Sequence, residues 1–210
     1  IEELGIKNDV IAAPITQMVK ACLADSGMDN KAILKCRNMF ALGLVCWLFN
    51  RDLEIAFNML REKFAKKPAV AEANIKVIQA GYDEAIIEDN VRFLRKIKET
   101  SNIEMYIGGL MGCKGDAYTG AGALNIEEAR DFHHWQAQLF KLAKADFLYA
   151  GIMPVLAEAT GMARAMSDTG IPYIISFTIQ KDGKLIDGHT IDYAIRFIDD
   201  NVSRKPVCYM

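Results

Sequence analysis

From Ile103 onward, apolar runs of about five residues alternate with helical stretches, strand following strand at roughly 30-residue spacing. This pattern constrains the chain more than any other feature. The strand readings are Glu104 to Ile107 ending in Gly108-Gly109, Asp146 to Ala150, Pro172 to Ile179, and a last strand starting at Pro206. Between them lie helical stretches from Ile126 to Ala143, from about Val155 to Asp168, and from Thr190 to Asp200. Successive strands joined by helices form βαβ units and a parallel sheet. Asn125, with Glu128 three residues on, has the spacing of a capping box at the start of the first of these helices. Spacing alone fits either an open doubly wound sheet or part of a (β/α)8 barrel. Both place ligands at the carboxyl ends of the strands. The segments to watch are therefore Gly108 to Thr119, Ala150 to Pro154, and Thr178 to Gly188.

The first 82 residues read differently, as helices with no convincing strand. One helix opens at Pro14-Ile15-Thr16 and ends near Ser26-Gly27. A second, capped by Asp29 or Asn30, has an apolar face of Ile33, Leu34, Met39, Leu42 and Val45. Phe40, Leu44, Trp47 and Leu48 are expected to be buried. A third helix from Leu53 is stopped by Lys66-Lys67-Pro68. A fourth starts at Ala69 and is expected to end at Gly81 as a C-cap. An acidic stretch, Asp83 to Asp89, then precedes a short helix from Val91 to Glu99. The expected organisation is a helical segment over 1–82, a junction over 83–90, and an α/β part over 91–210.

Composition excludes several classes. A net charge of −2 and the lack of a basic patch give no case for nucleic acid. The longest apolar-plus-Gly run, Met39 to Phe49 between Arg37 and Arg51, is too short to span a bilayer. With no signal peptide, the expected location is cytoplasmic; the start at Ile1 is read as a missing natural N-terminus. The five cysteines Cys22, Cys36, Cys46, Cys113 and Cys208 are odd in number, widely spaced and lack a CxxC pair, which fits reduced thiols.

Particular residues carry a resemblance. In order come Gly108-Gly109-Leu110-Met111-Gly112, then Glu128-Ala129-Arg130-Asp131-Phe132-His133, then Asp146-Phe147-Leu148-Tyr149-Ala150. Met153-Pro154 with Glu158-Ala159 follows, then Ile175-Ser176-Phe177-Thr178-Ile179 with Asp182-Gly183-Lys184-Leu185 and Asp187-Gly188. Together these resemble the homocysteine S-methyltransferase family. The resemblance implies part of a (β/α)8 TIM barrel with about four parallel strands. It also implies methyl transfer from a donor to the thiolate of homocysteine bound to zinc. The family's three cysteine ligands are not among these residues, so no metal or other cofactor is expected on this chain itself, and zinc belongs to the intact parent. Cys208 falls just before the expected position of the first ligand and reads as a structural thiol. Where several relatives carry an acidic residue suited to the substrate's ammonium group, this sequence has Gly151.

No residue is assigned a catalytic role. The pocket candidates are Gly109, Cys113, Tyr118, Gly151, Met153, Ser176 and Thr178, all at or near the strand ends. Ser176 and Thr178 share a strand face opposite to Ile175, Phe177 and Ile179, and the polar pair is expected to face a barrel interior. His133 and His134 are adjacent on a helix, so they point about 100° apart and cannot chelate one metal. They read as packing or surface residues, and His189 reads as a loop residue.

A second resemblance lies upstream. Asn38 to Gly43, Trp47-Leu48-Phe49-Asn50-Arg51, Lys63 to Pro68, Glu72-Ala73-Asn74 and Gln79-Ala80-Gly81-Tyr82 occur in order. They resemble the end of the gamma-type region of 2-oxoacid:ferredoxin oxidoreductases, most like the 2-oxoglutarate type. That implies subunit packing through residues 1–82, with no chemistry there. Three readings follow: a piece of a methyltransferase, inactive as it stands; a piece of an oxidoreductase subunit; or a chimeric or truncated product without catalysis. The last strand is read as one the sequence enters but does not complete.

Overall fold

The computed structural model describes residues 13–210. It divides into two compact units, with the boundary between Ala85 and Ile86. The helices of the first unit are α1 (Ile15–Cys22), α2 (Asn30–Lys35), α3 (Arg37–Leu48) and α4 (Leu53–Lys63). Helix α5 (Pro68–Ser101) runs through the boundary. The second unit adds β1 (Gly108–Gly112), α6 (Ile126–Leu142), β2 (Phe147–Met153), α7 (Leu156–Thr169), β3 (Tyr173–Phe177), α8 (Ile191–Asp200) and β4 (Cys208–Tyr209).

In the first unit, Asp29 caps α2 and Asp52 caps α4, each through a side-chain oxygen accepting a backbone N–H two or three residues on. The expected second helix is broken at Cys36, so its two halves are α2 and α3. Phe40, Gly43 and Cys46 form the buried face of α3, whereas Leu42, Val45 and Leu48 are exposed and Trp47 is half-buried. The expected face was wrong because α3 is apolar nearly all round, so hydrophobicity does not single out a side. Residue size does. A Cβ on Gly43 would lie 2.8 Å from the Tyr82 amide nitrogen, and one on Gly81 2.9 Å from the Phe40 carbonyl carbon. The two glycines let α3 and α5 touch backbone to backbone. Gly81 is therefore a close-approach residue within a continuous helix and not a C-cap, and α5 has no break over 83–90. Met18, Val19, Leu23, Val77 and Ile78 fill the surrounding core.

In the second unit four parallel strands pair in the order β1-β2-β3-β4. The first strand begins later than expected. Residues 104–107 join no ladder, and Asp146 holds Ile107 just ahead of the sheet. The Ile107 N–H donates to Asp146 Oδ2 at 2.8 Å, and the Asp146 N–H donates to the Ile107 carbonyl at 2.8 Å. Pairing starts at Gly108 opposite Phe147. The third strand stops at Phe177, and Ile179 beyond it is exposed.

Alternation assigns the two sheet faces. Gly109, Met111, Leu148, Ala150, Tyr173, Ile175 and Phe177 are buried, and a Cβ on Gly109 would meet the Phe140 ring of α6. Leu110, Phe147, Tyr149, Ile174 and Ser176 alternate with them and stay exposed or half-buried. Helix α7 is nearly enclosed. Its small residues Ala159, Gly161 and Ala163 are buried, and a Cβ on Gly161 would come within 2.8 Å of the Arg130 nitrogen on α6. Asn125 and Glu128 make the reciprocal capping box at the start of α6.

Candidate functional site

The carboxyl ends of the parallel strands carry three loops, 113–125, 154–155 and 178–190, and two carboxylates, buried Glu158 and exposed Asp187, tie them to α7. The first folds on itself. Asp116 Oδ1 accepts from the Tyr118 and Thr119 amides at 2.8 and 2.7 Å, and the Asp116 N–H donates to the Ala121 carbonyl at 2.9 Å. Gly120 and Gly122 have φ of 70° and 79°, a region that glycine enters without cost. Glu158, on the first turn of α7 and fully buried, holds both ends of this loop. Its Oε1 accepts from the Lys114 amide at 2.6 Å and its Oε2 from the Leu124 amide at 3.3 Å. The Nε2 of buried His133 lies 3.1 Å from Oε1. Burial alone would push the Glu158 carboxyl up; the bonds from His133, Lys114 and Leu124 outweigh it and hold the group below the ordinary glutamate value.

The other two loops are joined by Asp187. Helix α7 has no cap from its own N-cap residue, Val155; instead Asp187 Oδ2 accepts the Leu156 amide at 2.6 Å. A carboxylate at a helix N-terminus satisfies an orphan donor and complements the helix dipole. The Ile186 N–H also donates to the Pro154 carbonyl at 3.1 Å. Between these loops β2 ends irregularly. The pairing with β3 shifts register between Ala150 and Met153, and Ile152 has φ of 60°. A β-branched residue there is strained, and such strain and bulges cluster at functional positions.

The expected pocket residues fall into three groups. Gly109 and Met153 are buried, Gly109 against Phe140 on the helix side of the sheet. Ser176 is half-buried on the opposite face, with Gly151 buried near Leu110 and Tyr149. Thr178 is half-buried just past β3; its N–H donates to the Met153 carbonyl at 2.9 Å, and its hydroxyl is buried without a hydrogen-bond partner among the described residues. Cys113 and Tyr118 belong to the first loop. The Cys113 thiol lies 3.3 Å from the Gly115 carbonyl and is pushed up by burial and by the nearby Glu158 charge; Tyr118 is exposed. The sequence reading missed Glu158 and Asp187 as organisers and took His133 only as a packing or surface residue. A carboxylate among the small apolar residues of the first turns of α7 was the available signal for Glu158.

Among the described residues no group of three His, Cys, Asp or Glu side chains could hold a metal ion. The donors present therefore do not fit a zinc site of three thiolates. No helix among the described residues is long and apolar enough to cross a membrane.

Comparison with known proteins gives two family matches. Residues 64–209 match the family "Homocysteine S-methyltransferase", and residues 5–84 match "Pyruvate ferredoxin/flavodoxin oxidoreductase". The crystal structure of the homocysteine methyltransferase MmuM from Escherichia coli, in its apo form, superposes with a TM-score of 0.53 at 19% identity. It covers 62% of this chain, which spans 50% of that one, and the likeness is one of fold. Subunit KorA of the 2-oxoglutarate oxidoreductase of Mycobacterium tuberculosis is 39% identical over 83 residues, 39% of this chain. The chain spans 13% of that relative's length.

Proposed function

The chain belongs to the homocysteine S-methyltransferase family over residues 64–209, and on that premise we propose that residues 91–210 are part of a (β/α)8 barrel. Its acceptor pocket lies at the carboxyl ends of β1 to β3. The observation that carries this reading is the sequentially ordered parallel sheet, with its three strand-end loops tied together by Glu158 and Asp187. A parallel sheet puts its chemistry at that edge. The substrates of the intact enzyme are homocysteine and a methyl donor. In the reaction the homocysteine sulfur forms a bond to the methyl carbon as the donor's bond to that carbon breaks.

By themselves, these 210 residues transfer no methyl group. A family-type zinc site needs three thiolates converging at ~2.3 Å from the metal, and the second unit contains only Cys113 and Cys208. The test is metal analysis of the purified chain beside a homocysteine methylation assay with S-methylmethionine and betaine as donors. The expected result is zinc well below one equivalent and turnover at background. Stoichiometric zinc that is lost in Cys113→Ser and Cys208→Ser, or turnover above background, refutes the proposal.

A second reading concerns residues 1–82, as a packing segment derived from a 2-oxoacid oxidoreductase subunit. The supporting observation is the apolar surface of α3 and α4 and the turn between them, where Leu48, Phe49, Ile55 and Met59 are each more than 60% exposed. The chain then joins pieces of two enzymes and has the catalysis of neither.

A further inference from the structure

The Glu158 carboxylate is fully buried and engaged by three donors. It is 0% exposed, His133 beside it is 1% exposed, and the three donors around it come from three places: the end of β1, the loop ahead of α6, and α6 itself. A buried charge without partners costs several kcal/mol, so this carboxylate is tolerated only where those donors converge. The converse also holds. The Lys114 and Leu124 amides have this carboxylate as their partner, and they bracket the loop that carries Cys113 at its root and Tyr118 at its tip.

We propose that Glu158 is a positioning residue, whose carboxylate fixes both ends of loop 113–125 while His133 fixes the carboxylate. The His133 ring is itself oriented from outside. Phe132 packs edge-on to it at 4.9 Å between centroids, and the Lys114 ammonium lies over the Phe132 ring at 5.4 Å. The latch therefore closes a circuit from Lys114 through Phe132, His133 and Glu158 back to the Lys114 amide. Its role for a pocket rests on the barrel reading above, but the latch can be tested without any methyl transfer.

The carboxamide of Glu158→Gln has the same shape but only one acceptor oxygen. With that oxygen toward Lys114 and His133, its NH2 group faces the Leu124 N–H, donor against donor. With the amide reversed, it faces the Lys114 N–H, again donor against donor. Either way the loop loses an anchor.

The experiment compares full-length wild type and E158Q by amide exchange of Lys114 and Leu124, and by the rate of Cys113 alkylation relative to exposed Cys208 in the same molecule. The expected result is a rise of about tenfold or more in both readouts, the scale of losing a charge-assisted hydrogen bond, with β2 amides unchanged. Should E158Q fail to fold, His133→Phe, which removes the side-chain partner that holds the Glu158 carboxylate in place, gives the same change at a few-fold. Unchanged ratios, or acceleration of β2 together with the loop, overturn the proposal.

Discussion

Gly81→Ala sets two effects of opposite sign against each other. Within an exposed helix interior, replacing glycine by alanine stabilises by up to about 1 kcal/mol, because glycine loses more backbone entropy on folding. Here the added methyl would lie 2.9 Å from the Phe40 carbonyl carbon and 3.2 Å from its Cα, with the carbonyl oxygen closer still. The obstacle is backbone, so no side-chain rotation relieves it; α3 has to move away from α5. Overpacking of this kind costs typically 1–3 kcal/mol and more where backbone must shift. Separation also loosens fully buried Phe40 and Ile78. The clash wins, and the net expectation is destabilisation by about 2 kcal/mol. The assay is urea unfolding followed by Trp47 fluorescence, in a Trp135→Phe background so that α3 alone reports. A midpoint that stays the same or rises would refute the close-packing argument. It would show that Gly81 is tolerated in the helix and not required by it.

Asp187→Ala should destabilise the second unit by about 1–2 kcal/mol, the range for a lost helix cap with its dipole interaction; denaturation monitored at Trp135 checks this. Gly161→Ala should lower stability by a similar amount, since its methyl would meet Ala129 Cβ at 2.5 Å, and the same assay applies. Acidification tests the buried pair. Because Glu158 is held below its ordinary value, its contribution is present above the unfolded glutamate value and is lost as pH falls through the folded one. An acid titration of stability should therefore show less loss in Glu158→Gln than in wild type over that window; parallel curves would contradict the shift. Alkylation at pH 8 should modify Cys208 first and Cys22 last, since Cys22 is buried and pushed up to about 11, chiefly by desolvation. Mass mapping of the labelled peptides gives the order.

The alternation of strand and helix was legible because each element of the second unit carries its own local signal. Asn125 with Glu128 marks the start of α6, and the start read at Thr190 lies one residue from that of α8. Where local signals were absent or shared, the reading slipped. Glu104 to Ile107 has strand composition, yet Gly108 to Gly112 forms the strand, because pairing depends on what β2 offers opposite and not on propensity. Gly81 has the residue type of a C-cap but stays helical, because a backbone neighbour demands the missing side chain. On α3 the apolar residues outnumber the polar ones all round, so the buried side is chosen by the small residues Gly43 and Cys46.

The candidate site was legible as a region and not as a set of contacts, for a physical reason. Ligand-facing segments follow from strand direction alone, which periodicity supplies. What holds those segments in place is carboxylates on one element bonded to backbone N–H groups of another. Every non-proline residue has such an N–H, so the partner side of the bond leaves no mark in the sequence. Glu158 pairs with amides 44 and 34 residues away, and Asp187 with one 31 residues away. Only the carboxylates themselves are visible; Asp187 is exposed like a solvated acid, and burial sets Glu158 apart. On α7 the neighbours of Glu158 are Ala157 and Ala159, with Leu156 and Met162 near by, so an ionised group sits where the helix is otherwise apolar. A charge in that position requires donors. The two ends of the loop after β1 are thus held by the need to satisfy that buried charge.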